Sequence, residues 1–135
     1  MSVRFVDTNV FLRFLTRDDP VKFERCRRLF EQAVAGSVTL RTSDLVIAEI
    51  VWTLLSYYEL SKTLVIEKIG QILNTPNLEV TNHEICIEAL VLWSRYACDF
   101  IDAYNAALMR RDGLSDLLSY DADFDLIPFT RRQEP

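Results

Sequence analysis

Histidine occurs once in this chain, at His83. That excludes a metal-free reaction using two histidines as general acid and base. Cysteine offers little more. Cys26, Cys86 and Cys98 are odd in number, widely spaced and without a C-x-x-C pair. A Cys/His zinc site is therefore not expected, and the three thiols read as small buried hydrophobes. No G-x-S-x-G elbow and no glycine-rich phosphate loop is present. The first residues show no basic segment followed by an apolar one, so no signal peptide is expected. The longest nearly uncharged apolar run, residues 45–58, is interrupted by Glu49 and is too short to span a bilayer. Repeats and low-complexity segments are absent as well. A soluble, cytoplasmic protein with no membrane partner is the expectation.

What is present suits an ordinary globular domain. The chain has 135 residues, 50% of them apolar and 26% charged, enough for one domain with a real core. A single domain over residues 1–130 with a short tail at 131–135 is expected. The net charge of −5 speaks against a simple nucleic-acid-binding module. How strongly it does so depends on where the acids sit. If Asp7, Glu49, Asp99, Asp102, Asp121 and Asp123 surround one metal site, removing those six from the balance of −5 leaves +1. Bound cations would then leave a surface that phosphates can approach.

The stretch Phe5-Val6-Asp7-Thr8-Asn9 organises the rest. The apolar run Val3, Phe5, Val6 reads as a central strand ending on a carboxylate. In open α/β sheets, ligands bind outside the carboxyl ends of strands. Asp and Asn also favour turns and helix caps, so a plain strand-to-helix turn accounts for these residues equally well.

Further along, Val10 to Leu15 is a short helix, with Arg13 and Arg17 four apart. Asp19-Pro20 opens the next helix, and Gly36 stops it. Val38 to Thr42 is a second strand. Ser43 or Asp44 caps a helix to about Tyr58 that is apolar nearly all round, which predicts burial on one side and a partner on the other. Residues 61–73 form a further helix and 78–80 a strand. Thr81 to Glu84 has the capping-box pattern and opens a helix to about Tyr96. Another helix follows from near Asp99 to Asp112. Leu117 to Tyr120 reads as a strand, and Leu126-Ile127 as a last edge strand. Strands alternating with helices give an α/β domain with a mostly parallel sheet.

Five further carboxylates stand out. Glu49 is the only charge in its apolar helix, so it is paired, metal-bound or turned to solvent. Asp99 and Asp102 are three apart and share one helical face. Capping explains Asp99 well and Asp102 less well. Asp121 and Asp123 follow a strand, as Asp7 does, and an acidic turn is their plain alternative. Ala103, Ala106 and Ala107 would let their helix pack closely, bringing Asp102 toward Asp7. Acids that converge raise one another's pKa, and a hard cation bound by oxygens, Mg²⁺ or Mn²⁺, resolves the conflict. Such a site suits hydrolysis by phosphoryl transfer. His83 fits a helix cap better than catalysis.

The motifs V-D-T-N, V-I-A-E-I, D-F-I-D-A-Y-N-A-A-L and S-Y-D-A-D-F, in that order across the whole chain, resemble the PIN-domain nucleases, especially the VapC-type toxins of toxin–antitoxin pairs. The resemblance implies a three-layer α/β/α sandwich around the sheet. It implies Asp7, Glu49, Asp102 and Asp121 as the catalytic acids, with Asp7 and Asp102 as metal ligands. Asp123 competes with Asp121 for the fourth place. Thr8, Asn9, Asp99 and Ser119 become accessory residues, Ser119 standing where the family usually has Thr. An Mg²⁺-dependent endoribonuclease, homodimeric and inhibited by a small antitoxin in its cleft, is what such a likeness implies. Arg13 and Arg17 are the leading candidates for RNA phosphates, with Arg27, Arg28, Arg110 and Arg111 behind them. Two rivals remain in view. One is another metal-dependent phosphoryl hydrolase with an aspartyl phosphoacceptor, which would want a second Asp at Asn9. The other is a non-catalytic module acting through protein contacts.

Overall fold

A computed structural model describes residues 2–135, which fall into two compact units, the first ending at His83 and the second covering Glu84–Pro135. The first unit contains β1 (Val3–Phe5), α1 (Thr8–Thr16), α2 (Pro20–Val34), β2 (Thr39–Thr42), α3 (Asp44–Ser56), α4 (Lys62–Leu73) and β3 (Leu78–Val80). Its strands form a parallel sheet in the order β1-β2-β3, with Phe5 opposite Arg41 and Thr42 opposite Val80. A pair of helices joins each strand to the next, as parallel pairing requires.

Local sequence explains the helix starts. Asp19, Ser43 and Ser61 have extended backbones, and their side chains accept from the amides of Lys22, Val46 and Leu64. Each satisfies an amide that the first turn leaves unpaired. Gly36, at φ +81°, turns the chain after α2. The core of this unit is Phe11, Leu40, Ile47, Ile50, Leu54, Val65 and Ile69, all fully buried.

One expectation changes here. Among the described residues β1 pairs with β2 alone, and Val3 and Phe5 are exposed, so it is an edge of this sheet and not its centre. An apolar run three residues long looks alike in either place, since its neighbours come from distant sequence. α3 is buried within the chain along one face only, which leaves its other face open as the expectation of a core side and a partner side requires. Val46, Ile47, Ile50, Val51 and Leu54 face the core, while Leu45, Glu49, Trp52 and Ser56 are exposed at three- and four-residue intervals.

The second unit contains most of α5 (His83–Arg95), then α6 (Phe100–Arg111), β4 (Asp116–Leu118), a 3-10 turn (Ala122–Leu126) and β5 (Arg131–Gln133). Trp93 meets Phe100 edge-on at 5.7 Å between ring centroids, and Ala103, Ala106 and Ala107 are fully buried. β4 and β5 pair in parallel, Asp116 opposite Arg131. Residues 131–133 are therefore a strand, not a tail, and Leu126-Ile127 is not one. Leu126 closes the 3-10 turn, and Thr130 Oγ1 clasps it by donating to the carbonyls of Phe124 (2.8 Å) and Ile127 (3.0 Å). Arg131, Arg132 and Gln133 are all polar, so this strand left no apolar signature to read. The capping box also differs: Asn82, before α5, sits at φ +55° rather than in the extended form of a cap. No helix among the described residues is long and apolar enough to cross a membrane.

Candidate metal centre

In the first unit, Asp7 sits where β1 gives way to α1. It has the extended backbone of an N-cap (φ −88°, ψ 167°), yet its side chain makes no capping hydrogen bond. This separates it from Asp19, Ser43 and Ser61, which all cap. Its carboxylate is exposed and has no hydrogen-bond or ion-pair partner among the described residues. The backbone beneath it is well held. Val6 N donates to the Arg41 carbonyl at 2.8 Å, and buried Thr42 donates Oγ1 to the Val6 carbonyl at 2.8 Å. Thr8 is buried in the first turn and Asn9 is exposed, and neither hydrogen-bonds the Asp7 side chain among the described residues. Glu49 is exposed on α3 and likewise without a partner. Solvent exposure resolves the puzzle of a charge in an apolar helix.

The second unit gathers acids. Carboxylate oxygens of Asp102, Asp121 and Asp123 lie within 4.8 Å of one another. Asp99 caps α6, its Oδ1 accepting from the Asp102 amide at 2.7 Å. Asp121 in turn accepts from the Asp123 amide at 2.9 Å, and Ser119 Oγ accepts from the Asp121 amide at 2.9 Å. Ser119 thus holds the backbone of Asp121 through its hydroxyl. Asp102 carries the electrostatic burden. Burial first, then the charges of Asp99 and Asp121, push its carboxyl up to about 6. Its Oδ2 is buried without a hydrogen-bond partner among the described residues. A buried oxygen lacking a donor, amid like charges, is an unsatisfied acceptor that a cation would complete. The all-oxygen donor set fits a hard divalent ion, Mg²⁺ or Mn²⁺, rather than zinc.

Three supporting residues escaped the sequence reading. Thr42 pins Val6 from across the sheet. Arg132 holds Asp125 with two hydrogen bonds (3.0 and 3.1 Å) and donates Nη1 to the Ser119 carbonyl at 3.1 Å, bracing the turn that carries Asp121. Tyr58 donates to Asp18 at 2.8 Å, tying α1's exit to the end of α3. No local pattern announces contacts this remote. His83 places Nε2 2.7 Å from the Leu73 carbonyl at the end of α4, a structural contact as expected, though not a cap of its own helix. The arginines also separate. Arg13 pairs with Asp18 at 3.1 Å, while Arg17 lies over the Phe23 ring at 4.6 Å. Arg27 is held by Glu24 and Glu31, and Arg28 by Glu24. Arg110 reaches Glu88 and covers Phe129, and Arg111 pairs with Asp112.

A PIN domain model matches residues 4–130, and the chain belongs to the PIN domain family. Among its relatives is a VapC ribonuclease of Aquifex aeolicus, 25% identical over 127 residues that make up 94% of this chain and 93% of that one. Similar solved structures include the Mycobacterium tuberculosis VapC20, a toxin cleaving the sarcin–ricin loop (20% identity, 94% of this chain and 96% of that, TM-score 0.42). Another is VapBC2 of Rickettsia felis bound to a fragment of its promoter (14% identity, 99% and 98%, TM-score 0.39).

Proposed function

We propose that this chain is a divalent-cation-dependent endoribonuclease and the toxin of a toxin–antitoxin pair, acting in the cytoplasm. The observation that carries the reading is the Asp102, Asp121 and Asp123 cluster with its orphaned Asp102 oxygen, in a chain of the PIN family. Asp7 and Asp102 would hold the ion, Mg²⁺ or Mn²⁺. Bound there, it would supply an activated water and offset charge on the leaving oxygen. Glu49 and Asp121 would orient or deprotonate the attacking water, with Asp123 as the substitute for Asp121. Thr8, Asn9, Asp99 and Ser119 position these acids. Asp7 suits its part because its oxygens are not engaged in capping.

The partners follow the same reading. Exposed Leu45 and Trp52 on α3 support a homodimer. A largely apolar groove of about 480 Å³, lined by Phe11, Phe14, Phe30, Val34 and Ile72 among others, supports an antitoxin segment as a second partner. The test is cleavage of a single-stranded RNA. Asp7→Asn and Asp102→Asn should abolish cleavage in Mg²⁺ while both proteins still fold. Wild-type rates from Asp7→Asn would defeat the site assignment. Absence of both cleavage and Mn²⁺ binding in the unaltered protein would favour the non-catalytic module.

A further inference from the structure

We propose that the cleft between α1 and α2 grips the phosphodiester backbone of the RNA strand, with Lys22 and Arg25 as its principal contacts. The inference rests on the ribonuclease reading and adds the surface that the strand follows.

The cleft has a volume of about 290 Å³ and is lined by Asn9, Val10 and Arg13 from α1 and by Lys22, Arg25 and Cys26 from α2. Asn9 and Arg13 are four apart and Lys22 and Arg25 three apart, so each helix presents two polar side chains to one space. Three of the six lining residues are cationic and none is acidic, in a chain whose net charge is −5. Asp7 apart, the neighbouring acids are already engaged, Glu24 by Arg27 and Arg28. Asp18 accepts from Arg13, Thr16 and Tyr58, and Asp19 caps α2.

What singles out Lys22 and Arg25 is the commitment of the others. Arg17 covers Phe23, and Arg27 and Arg28 are held by the carboxylates of α2's other face. Lys22 and Arg25 are exposed and make no ion pair among the described residues. A phosphate would find them without first breaking a salt bridge. Binding there would release counterions from the strand, the main source of affinity for nucleic acid. Position agrees with charge. Asn9 lies in the first turn of α1, two residues after Asp7, so the cleft opens beside an acid assigned to the reaction.

The experiment measures binding of a labelled single-stranded RNA in EDTA as KCl is raised, using the full chain. Lys22→Ala/Arg25→Ala should weaken binding about tenfold and lower the slope of log K against log salt by about 1.4, the value for two lost single-strand phosphate contacts. With Mg²⁺, its KM should rise while kcat holds. Arg27→Ala/Arg28→Ala should leave the slope unchanged. Cys26, half-buried in the cleft wall, reports position, since Cys86 and Cys98 are buried. RNA should slow its alkylation several-fold in the unaltered protein and not in Lys22→Ala/Arg25→Ala. A wild-type slope in that variant, an equal loss in the Arg27/Arg28 variant, or labelling of Cys26 indifferent to RNA would each overturn the proposal. RNA binding that persists when Asp7→Asn proves fully active would defeat the assigned site and leave this cleft standing. Failure of the unaltered protein to bind RNA would overturn both.

Discussion

Thr42 donates its hydroxyl to the Val6 carbonyl at 2.8 Å, one residue before Asp7 and 36 residues away in sequence. Thr42 is fully buried and Val6 nearly so, so water cannot replace the bond. Thr42→Val keeps the shape and leaves the carbonyl unpaired. It should cost about 1–3 kcal/mol in urea unfolding and reduce cleavage. Thr42→Ser should restore most of both. Unchanged stability in the valine variant would show that the hydroxyl does not anchor this strand end.

Arg132 is expected to matter beyond its place near the chain's end. Its fork on Asp125 and its bond to the Ser119 carbonyl brace the turn bearing Asp121 and Asp123. Arg132→Ala, and more so deletion of residues 131–135, should lower the melting temperature and weaken Mn²⁺ binding several-fold. Isothermal titration of the variant gives the answer. Arg132→Lys should recover little, because one ammonium cannot reproduce a bidentate fork.

Divalent ions should stabilise the protein. A ligand bound only by the folded state adds about 2.7 kcal/mol at one hundred times its dissociation constant. Melting temperatures with Mn²⁺ or Mg²⁺ should therefore rise with concentration and fall back on EDTA. Asp102→Asn removes the charge that its neighbours oppose. That variant should melt no lower than the unaltered protein in EDTA, yet gain less from Mn²⁺. An equal gain would place the ion elsewhere.

The Asp18 carboxyl is held below its ordinary value, first by the Tyr58 hydroxyl and then by Arg13 and Thr16, against an opposing effect of burial. An acid whose folded pKa is depressed contributes stability above its unfolded value, near 4, and loses it as pH falls through the folded one. Tyr58→Phe should therefore melt lower than the parent near pH 7, with the gap closing in strong acid. A gap that widens on acidification would reverse the sign. Melting curves between pH 2 and 7 decide.

Much of the frame was written in the chain's local order. Asp19-Pro20, Ser43 and Ser61 announced three helix starts, and Gly36 marked a stop, because caps and left-handed turns depend on residues a few positions apart. The acids were legible too: Asp99, Asp102, Asp121 and Asp123 stand out by spacing, and three of them do cluster. Leu126-Ile127 misled because a short apolar pair is ambiguous, whereas Arg131–Gln133 pairs through its backbone and carries no apolar signal.

By itself, then, the sequence determined the alternation of strands and helices, the family and the acids worth watching, since each rests on residue type and short-range spacing. Tertiary structure decided which arginines are committed to carboxylates, that Asp7 does not cap its helix, and that Asp102 is left with a buried oxygen wanting a partner. Those outcomes depend on distances between groups far apart along the chain, and desolvation and charge act through space, not along the backbone.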